Sequence, residues 1–253
     1  MNLTFFKANF YNRKAYLLLR ILVVLDILFI LGNILLSFLG NSKFGLDTSK
    51  YGMFYLDDHG LPEFFQYSKY ILIIVTLFYL IYHKKIYNYI SWLFLFIFIF
   101  FDDSLMIHES FGDLFKESFN FESMFGISVK VLGELSSSAL FGLLFIILLI
   151  LAYRKGDIEY RKTNIDLAIL FGILVFFGIF IDLLHSIIGK YNIYLNKILF
   201  WTEEGGEMIA VSLIAWYLFF LVLQSERKNK YLYQYFYKNR NRSIEKYLKN
   251  ILF

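Results

Sequence analysis

The chain has 253 residues, of which 58% are hydrophobic and 21% aromatic, with a formal net charge of +4 and a single proline. This apolar content is higher than soluble globular domains carry, so it excludes a soluble domain and indicates an integral membrane protein. The sequence contains no cysteine, which excludes disulfide bonds and thiolate-bound metals.

Six apolar segments are long enough, at roughly 20 residues each, to cross a hydrocarbon layer about 30 Å thick. In chain order they cover residues 16–40, 66–82, 87–111, 130–153, 165–189 and 199–223. None of them alternates polar and apolar residues as a barrel strand does, and a helix satisfies its own backbone hydrogen bonds in lipid. We therefore predict an all-α, polytopic membrane protein in which residues 1–225 form a six-transmembrane-helix bundle.

Basic residues predict the orientation of this bundle, because lysine and arginine are retained on the cytoplasmic side of short loops. They are concentrated in the N-terminal segment, in the second-to-third and fourth-to-fifth connections, and in the C-terminal tail. Six spans place all four of these segments on one side of the membrane. Both termini are therefore predicted to be cytoplasmic, and the expected location is the plasma (cytoplasmic) membrane.

Residues 226–253 form a basic tail in which aromatic side chains lie between lysines and arginines. This pattern is compatible with binding to anionic lipid or to nucleic acid. It is also typical of a short cytoplasmic helix at the membrane interface, and this interpretation is preferred because the positive-inside rule alone predicts such a tail. Membrane lipid is thus the expected partner and nucleic acid is not, while the oligomeric state stays open.

Ionisable residues interrupt the apolar pattern near the outer ends of four predicted helices. They are Asp102, His108 and Glu109 in the third helix, Glu134 in the fourth, Asp182 and His185 in the fifth, and Glu203, Glu204 and Glu207 in the sixth. At a rise of 1.5 Å per residue, Asp102, Asp182 and Glu207 lie about 12 to 15 Å from the outer ends of their helices. The sequence therefore predicts that the four helices bring these side chains to one outer layer.

Helical spacing selects partners within this layer. Asp182 and His185 are three residues apart, so both can ligate one cation, as the Glu-x-x-His pairs of carboxylate-bridged metal bundles do. On the third helix, which we predict to be continuous, Asp102 and Glu109 are seven residues apart and share a face. One carboxylate–histidine pair, joined by carboxylates from neighbouring helices, predicts a metal site.

The first functional hypothesis is a metal-dependent hydrolase that acts at the outer leaflet. Imidazole nitrogen and carboxylate oxygen suit zinc, iron or manganese as the bound ion. A carboxylate outside the ligand set can deprotonate a water molecule that the metal activates. The candidate metal ligands are His108, Asp182, His185 and Glu207, and the candidate catalytic bases are Asp102 and Glu204.

A proton- or cation-coupled transporter is the alternative, because it would use the same acidic cluster and the pliable glycine-containing helices around it. Alternating access also requires polar groups in the inner half of the membrane. That half is nearly free of charge, apart from Arg20, Asp26 and Asp166. The sequence therefore favours a site that is open to one side.

Two further interpretations stay open. A di-iron oxidase would require more than the single carboxylate-x-x-His pair found here. A purely structural role explains Glu203 and Glu204, because the dipole at a helix N-terminus favours anions, but it does not explain Asp102 or Asp182. Whether the protein is an enzyme is undecided by the sequence.

Overall fold

The structure is a computed structural model that describes residues 13–41, 56, 60–119 and 126–224. All regular elements in these ranges are helical. They are α1 (Arg13–Asn41), α2 (Leu61–Lys84), α3 (Ile90–Ser104), α4 (Ile107–Ser118), α5 (Val129–Lys155), α6 (Ile158–Val175), a π-helical segment (Phe176–Ile181), α7 (Asp182–Ile188) and α8 (Ile193–Gln224). Short 3₁₀ turns at Tyr87–Tyr89 and Gly189–Tyr191 precede α3 and follow α7. The basic tail at 226–253 lies outside the described residues.

Five helical stretches in the described ranges are long and apolar enough to cross a membrane. They are Arg13–Leu39, Leu61–His83, Val129–Lys155, Ile158–Tyr191 and Ile193–Leu223. The number rises to six if α3 and α4 together form one bent span. The described part of the chain is therefore all-helical, with the helix lengths and apolar composition that suggest an integral membrane protein.

The third predicted helix differs most from the structure. The sequence predicted one continuous helix over 87–111, whereas α3 ends at Ser104 and α4 begins at Ile107, with a bend of 63° between them. Met106, at the bend, has a left-handed backbone conformation with φ 50°. The prediction of one straight third helix has to be corrected.

The bend also corrects two predictions that assumed a straight helix. The depth of Asp102 was counted along a single axis, but the chain changes direction before it reaches α4. Asp102 and Glu109 likewise lie on two different helices, so their spacing of seven residues does not place them on one face. The position of Asp102 therefore has to be taken from its contacts.

Local sequence signals explain several of the helix ends. Ser128 caps α5, and its hydroxyl accepts a hydrogen bond from the backbone N–H of Val131. Asp157 caps α6, and its Oδ1 accepts a hydrogen bond of 2.7 Å from the backbone N–H of Tyr160. Pro62 lies in the first turn of α2, where its missing N–H has no helical partner to lose.

The centre of the bundle is α8, which packs against α1, α2, α6, the π-helical segment and α7. Its residues Val211, Ile214 and Leu218 have no exposed surface. By contrast, α4 packs mainly against α5, where Gly112 and Gly133 allow a close crossing. A Cβ atom on Gly133 would lie only 2.9 Å from the Cα of Gly112. The N-terminal part of α5 is therefore held next to α4. The N-terminal part of α8 lies next to α7.

A buried ion pair connects three helices of the interior. Lys69 Nζ on α2 lies 2.9 Å from Asp26 Oδ1 on α1, and both side chains are fully buried. Lys69 also donates a hydrogen bond of 2.8 Å to the carbonyl oxygen of Met208 on α8. Ser212 Oγ, one turn further along α8, donates to Asp26 Oδ2 at 2.5 Å. These bonds compensate the burial of both charges and fix α1 and α2 on the central helix.

Candidate metal centre

Ionisable side chains from α4, α5, α7 and α8 meet at one end of the bundle, which we call the site end. Lys130 Nζ on α5 lies 3.5 Å from Glu109 Oε2 on α4. On the neighbouring pair of helices, His185 Nδ1 of α7 lies 2.7 Å from Glu203 Oε2 of α8. Glu134 of α5 connects the two groups, because it interacts electrostatically with both His108 and Asp182. The site end is thus one continuous polar cluster.

Asp182, His185 and Glu203 form the metal-binding geometry within this cluster. One ligand atom from each side chain can be chosen so that all three atoms lie within 4.8 Å of one another, and all three residues are partly buried. In a tetrahedral zinc site with bonds of about 2.1 Å, two ligand atoms are about 3.4 Å apart. Small side-chain rotations therefore suffice for the three atoms to reach one cation.

A second contact fixes the imidazole of His185 for metal binding. Its Nε2–H donates a hydrogen bond of 2.9 Å to Asn196 Oδ1, an oxygen that can only accept. The Nδ1 atom then faces Glu203 Oε2 at 2.7 Å, a distance that fits one shared proton. A bound cation would require the two atoms to separate to about 3.4 Å. Metal-binding histidines commonly donate the other ring N–H in this way, because the contact selects the tautomer and orients the ring.

Gly189 makes room for this contact. A Cβ atom at position 189 would overlap with Asn196 Oδ1 and would approach His185 Cδ2 to 3.0 Å. Gly189 is buried and begins the 3₁₀ turn that connects α7 to α8. The turn and the orientation of the imidazole therefore depend on the same glycine.

Glu207 lies one turn along α8 from Glu203 and faces the π-helical segment. A Cβ atom on Gly178 would lie 2.8 Å from Glu207 Oε1, so the missing side chain at this position leaves space for the carboxylate. A π-helical turn often occurs at functional sites, because the extra residue shifts the register of the helix locally. Asp182 follows directly after this segment, so the π turn also sets the direction of Asp182 relative to α8.

Asp102 and His108 form a separate pair across the bend between α3 and α4. Asp102 Oδ1 accepts a hydrogen bond of 3.0 Å from the backbone N–H of His108, and its Oδ2 lies 3.2 Å from His108 Nδ1. The carboxylate thus satisfies a free N–H in the first turn of α4, where the helix dipole favours an anion. Part of the reason for an aspartate in this apolar sequence is therefore structural.

The structure brings together two of the four predicted metal ligands, Asp182 and His185. Their third partner is Glu203, whereas the predicted ligands His108 and Glu207 lie outside this group. His108 and Glu207 are nevertheless electrostatic neighbours of Asp182. The predicted base Asp102 contacts His108, and the predicted base Glu204 is adjacent to Glu203 in the chain without belonging to the metal-binding group.

Sequence reasoning missed Glu203 and Asn196 as members of the centre. Glu203 and Glu207 are four residues apart, so helical spacing places them on the same face as readily as it does Glu204 and Glu207. Helical spacing alone therefore does not distinguish Glu203 from Glu204 as the residue that shares a face with Glu207. Asn196 had no comparable signal, because its contact with His185 crosses the turn between two helices.

These features define a helical bundle whose helix lengths and apolar composition suggest an integral membrane protein, with a histidine–carboxylate group at one end. The chain belongs to the family described as "Domain of unknown function (DUF8692)", whose sequence model matches residues 83–223. The matched region contains α3 to α7 and nearly all of α8, and hence every residue of the candidate metal centre. No curated protein and no solved structure matches the chain.

Proposed function

We propose that this protein is a metal-dependent hydrolase of the plasma (cytoplasmic) membrane, in which Asp182, His185 and Glu203 hold a divalent cation near the outer leaflet. The observation that carries the proposal is the convergence of these three ligand atoms within 4.8 Å, from α7 and α8. The contact between His185 and Asn196 supports it, because a ring that donates its Nε2–H to Asn196 turns Nδ1 toward Glu203 as the ligand atom.

The ligand types limit which ion fits. One imidazole and two carboxylates offer one nitrogen and two hard oxygen donors, which suit zinc, iron or manganese. Two ionised carboxylates also balance the charge of a divalent cation in a partly buried site. The expected ion is therefore one of these three metals, bound without sulfur ligands.

Hydrolysis is favoured over a purely structural metal because the described residues contribute three protein ligands to the group. Structural zinc sites are usually closed by four protein ligands, whereas catalytic sites keep one position open for water or substrate. A bound metal in such a site supplies Lewis acidity and lowers the pKa of water to near neutrality. Glu207 is the preferred base, because it lies one turn from Glu203 and interacts electrostatically with both Glu203 and Asp182. It replaces Asp102 and Glu204 in that role.

The orientation of the bundle is part of the proposal. Arg154, Lys155, Arg161 and Lys162 lie around the connection of α5 to α6, at the end opposite the centre. The positive-inside rule assigns this end to the cytoplasm, together with both chain termini. With six spans, in which α3 serves as the third, the metal centre faces the outside.

Metal analysis tests this proposal. The full chain, purified in detergent without chelators, is expected to contain about one equivalent of zinc, iron or manganese by mass spectrometry. His185→Gln and Glu203→Gln should each lower the metal content at least about 10-fold. The matched controls are His83→Gln and Glu159→Gln, two exposed positions far from the centre that should keep the metal. A parent protein without metal, or unchanged content in His185→Gln, contradicts the proposal.

Transport remains a second candidate because the opposite half of the bundle contains more buried polar groups than the sequence indicated. Tyr217 Oη donates a hydrogen bond of 2.5 Å to Asp166 Oδ2, and Asp166 is fully buried. Trp92 Nε1 donates to Asn164 Oδ1 at 2.8 Å in the same region. With the Asp26–Lys69 pair, polar groups extend along α8 from the site end to the opposite end.

Vesicles that contain the protein and an internal pH-sensitive dye distinguish the two candidates. Transport predicts a proton flux that Asp166→Asn abolishes and Glu159→Gln, an exposed position at the same end, leaves unchanged. The hydrolase proposal predicts no flux from the parent protein. A flux from a metal-free parent would make transport the better explanation.

A further inference from the structure

The helix that follows the bend, α4, differs in character from the membrane-length helices. Its 12 residues, IHESFGDLFKES, include as many charged as large apolar side chains. It is inclined by 63° to α3 and starts from Met106, whose left-handed backbone turns the chain. Asp102 then stabilises the new direction by accepting the backbone N–H of His108. The bend is therefore built into the local sequence.

Three faces of α4 have different surroundings. Gly112 and Phe115 pack on α5, where Phe115 Cβ lies close to Gly133. Phe111 and Leu114 are exposed, Leu114 to 61%. The charged residues of α4 occupy the third face, where Glu109 and Asp113 lie within 3.5 Å of Lys130 Nζ on α5. An unpaired apolar strip thus runs between a packed face and a charged face.

We infer that α4 is an interfacial helix that lies on the outer membrane surface, with Phe111 and Leu114 inserted into the outer leaflet. This inference rests on the proposed membrane insertion and orientation of the bundle. Two exposed apolar residues precede the strip in the chain, Phe101 on α3 and Leu105 directly after the end of α3. An amphipathic helix with this arrangement buries its apolar face about 5–10 Å into the boundary between headgroups and acyl chains. The apolar strip therefore has lipid as its partner.

The charges of α4 specify the kind of lipid. Its charged residues are Glu109, Asp113 and Glu117, against the single lysine Lys116. Interfacial helices that bind anionic lipid are rich in lysine and arginine, and an acidic face is repelled by the same lipid. The partner is therefore a lipid without net charge, such as phosphatidylcholine.

Depth measurements along α4 test the inference. Because the chain has no cysteine, each introduced cysteine is the single labelling site. Single cysteines at positions 107 to 118, except Gly112, receive a nitroxide label in phosphatidylcholine vesicles, and collisions with oxygen and a nickel chelate report depth. An interfacial helix predicts a depth that oscillates with a period of about 3.6 residues. Phe111→Cys and Leu114→Cys should be deepest, and Asp113→Cys and Glu117→Cys should be in water.

The overall change of depth gives a second criterion. Along an axis of about 16 Å, an inclination of 63° predicts a drift of only about 7 Å from the first to the last residue. A steady change of about 16 Å without oscillation would mean that α4 continues the span, and it would overturn the inference. Labels that are in water at every position of α4 would also overturn the inference.

Controls separate this inference from the proposed function. Val75→Cys and Leu143→Cys lie on exposed apolar faces in the middle of α2 and α5 and should report the hydrocarbon core. If these two labels are in water, membrane insertion itself fails. If they are in lipid while α4 is not, only the inference about α4 fails. The metal analysis is a separate measurement, so neither result bears on the proposed metal centre.

The choice of lipid has its own test. Addition of phosphatidylglycerol should leave the label at Leu114→Cys at the same depth or shallower, and a deeper label would contradict the choice of a lipid without net charge.

Discussion

His185 and Glu203 are 18 residues apart in the chain, and their Nδ1 and Oε2 atoms lie 2.7 Å apart in the structure. The contact joins α7 to α8 across the turn at Gly189–Tyr191. With Asp182 on the preceding turn of α7, it forms the one group of three histidine or carboxylate ligands that the described residues offer for a metal ion.

The first prediction concerns Asn196. Asn196→Ala removes the oxygen that accepts the Nε2–H of His185, so the ring is no longer held in the tautomer that presents Nδ1. Loss of such a contact typically lowers metal affinity about 10- to 100-fold. Competition with a fluorescent chelator measures the affinity. Asn88→Ala, near the opposite end, is the control, and equal affinity of both variants would exclude the proposed role of Asn196.

Gly189→Ala should have a similar effect by a steric route. The added Cβ would overlap with Asn196 Oδ1, so either the amide or the imidazole has to move. We expect metal affinity to fall at least about 10-fold while the helical circular dichroism spectrum is retained. Gly172→Ala on α6 is the matched control, since a Cβ there meets nothing within 4 Å. Wild-type affinity in Gly189→Ala would mean that the turn does not position His185.

The buried ion pair predicts a non-additive effect on stability. Lys69→Met leaves the Asp26 carboxylate buried without its cation, so the free energy of unfolding should fall by about 3–5 kcal/mol. The double variant Asp26→Leu with Lys69→Met should lose less than Lys69→Met alone, because no unpaired charge remains. Unfolding in detergent micelles measures both, with exposed Lys116→Met as the control. A double variant less stable than the single one would contradict this account.

Met106 predicts a gain in stability. Its left-handed backbone costs a residue with a side chain about 1–2 kcal/mol, a cost that glycine avoids. Glycine also has a larger conformational entropy in the unfolded chain, and this entropy offsets part of the gain. Met106→Gly should therefore stabilise the protein by up to about 1 kcal/mol. Leu105→Gly is the matched control, because φ of −111° at this position suits any residue, and it should destabilise. Thermal unfolding that ranks the two variants in the opposite order would show that the bend is not strained.

Part of the candidate centre could be predicted from local spacing. Asp182 and His185 are three residues apart, and that interval places two side chains side by side on any helix. The choice of Glu203 over Glu204 or Glu207 depends on the rotation of α8 against α7. The π-helical segment and the turn at Gly189 set that rotation, and neither has a strong signal in the sequence. Asp102 contacts His108 rather than sharing a face with Glu109, because the bend at Met106 interrupts an apolar run that predicted a straight helix.

The sequence by itself determined the helical class and the presence of several membrane-length apolar segments, because hydrophobicity and segment length are properties of the chain alone. Only the tertiary structure decided which groups meet: Glu203 with His185, Asp102 with His108, and Lys69 with Asp26. Each of these contacts joins two helical elements, and their relative rotation follows from close packing around α8 or from the bend at Met106. Helical periodicity ends with the helix, so it does not predict that rotation.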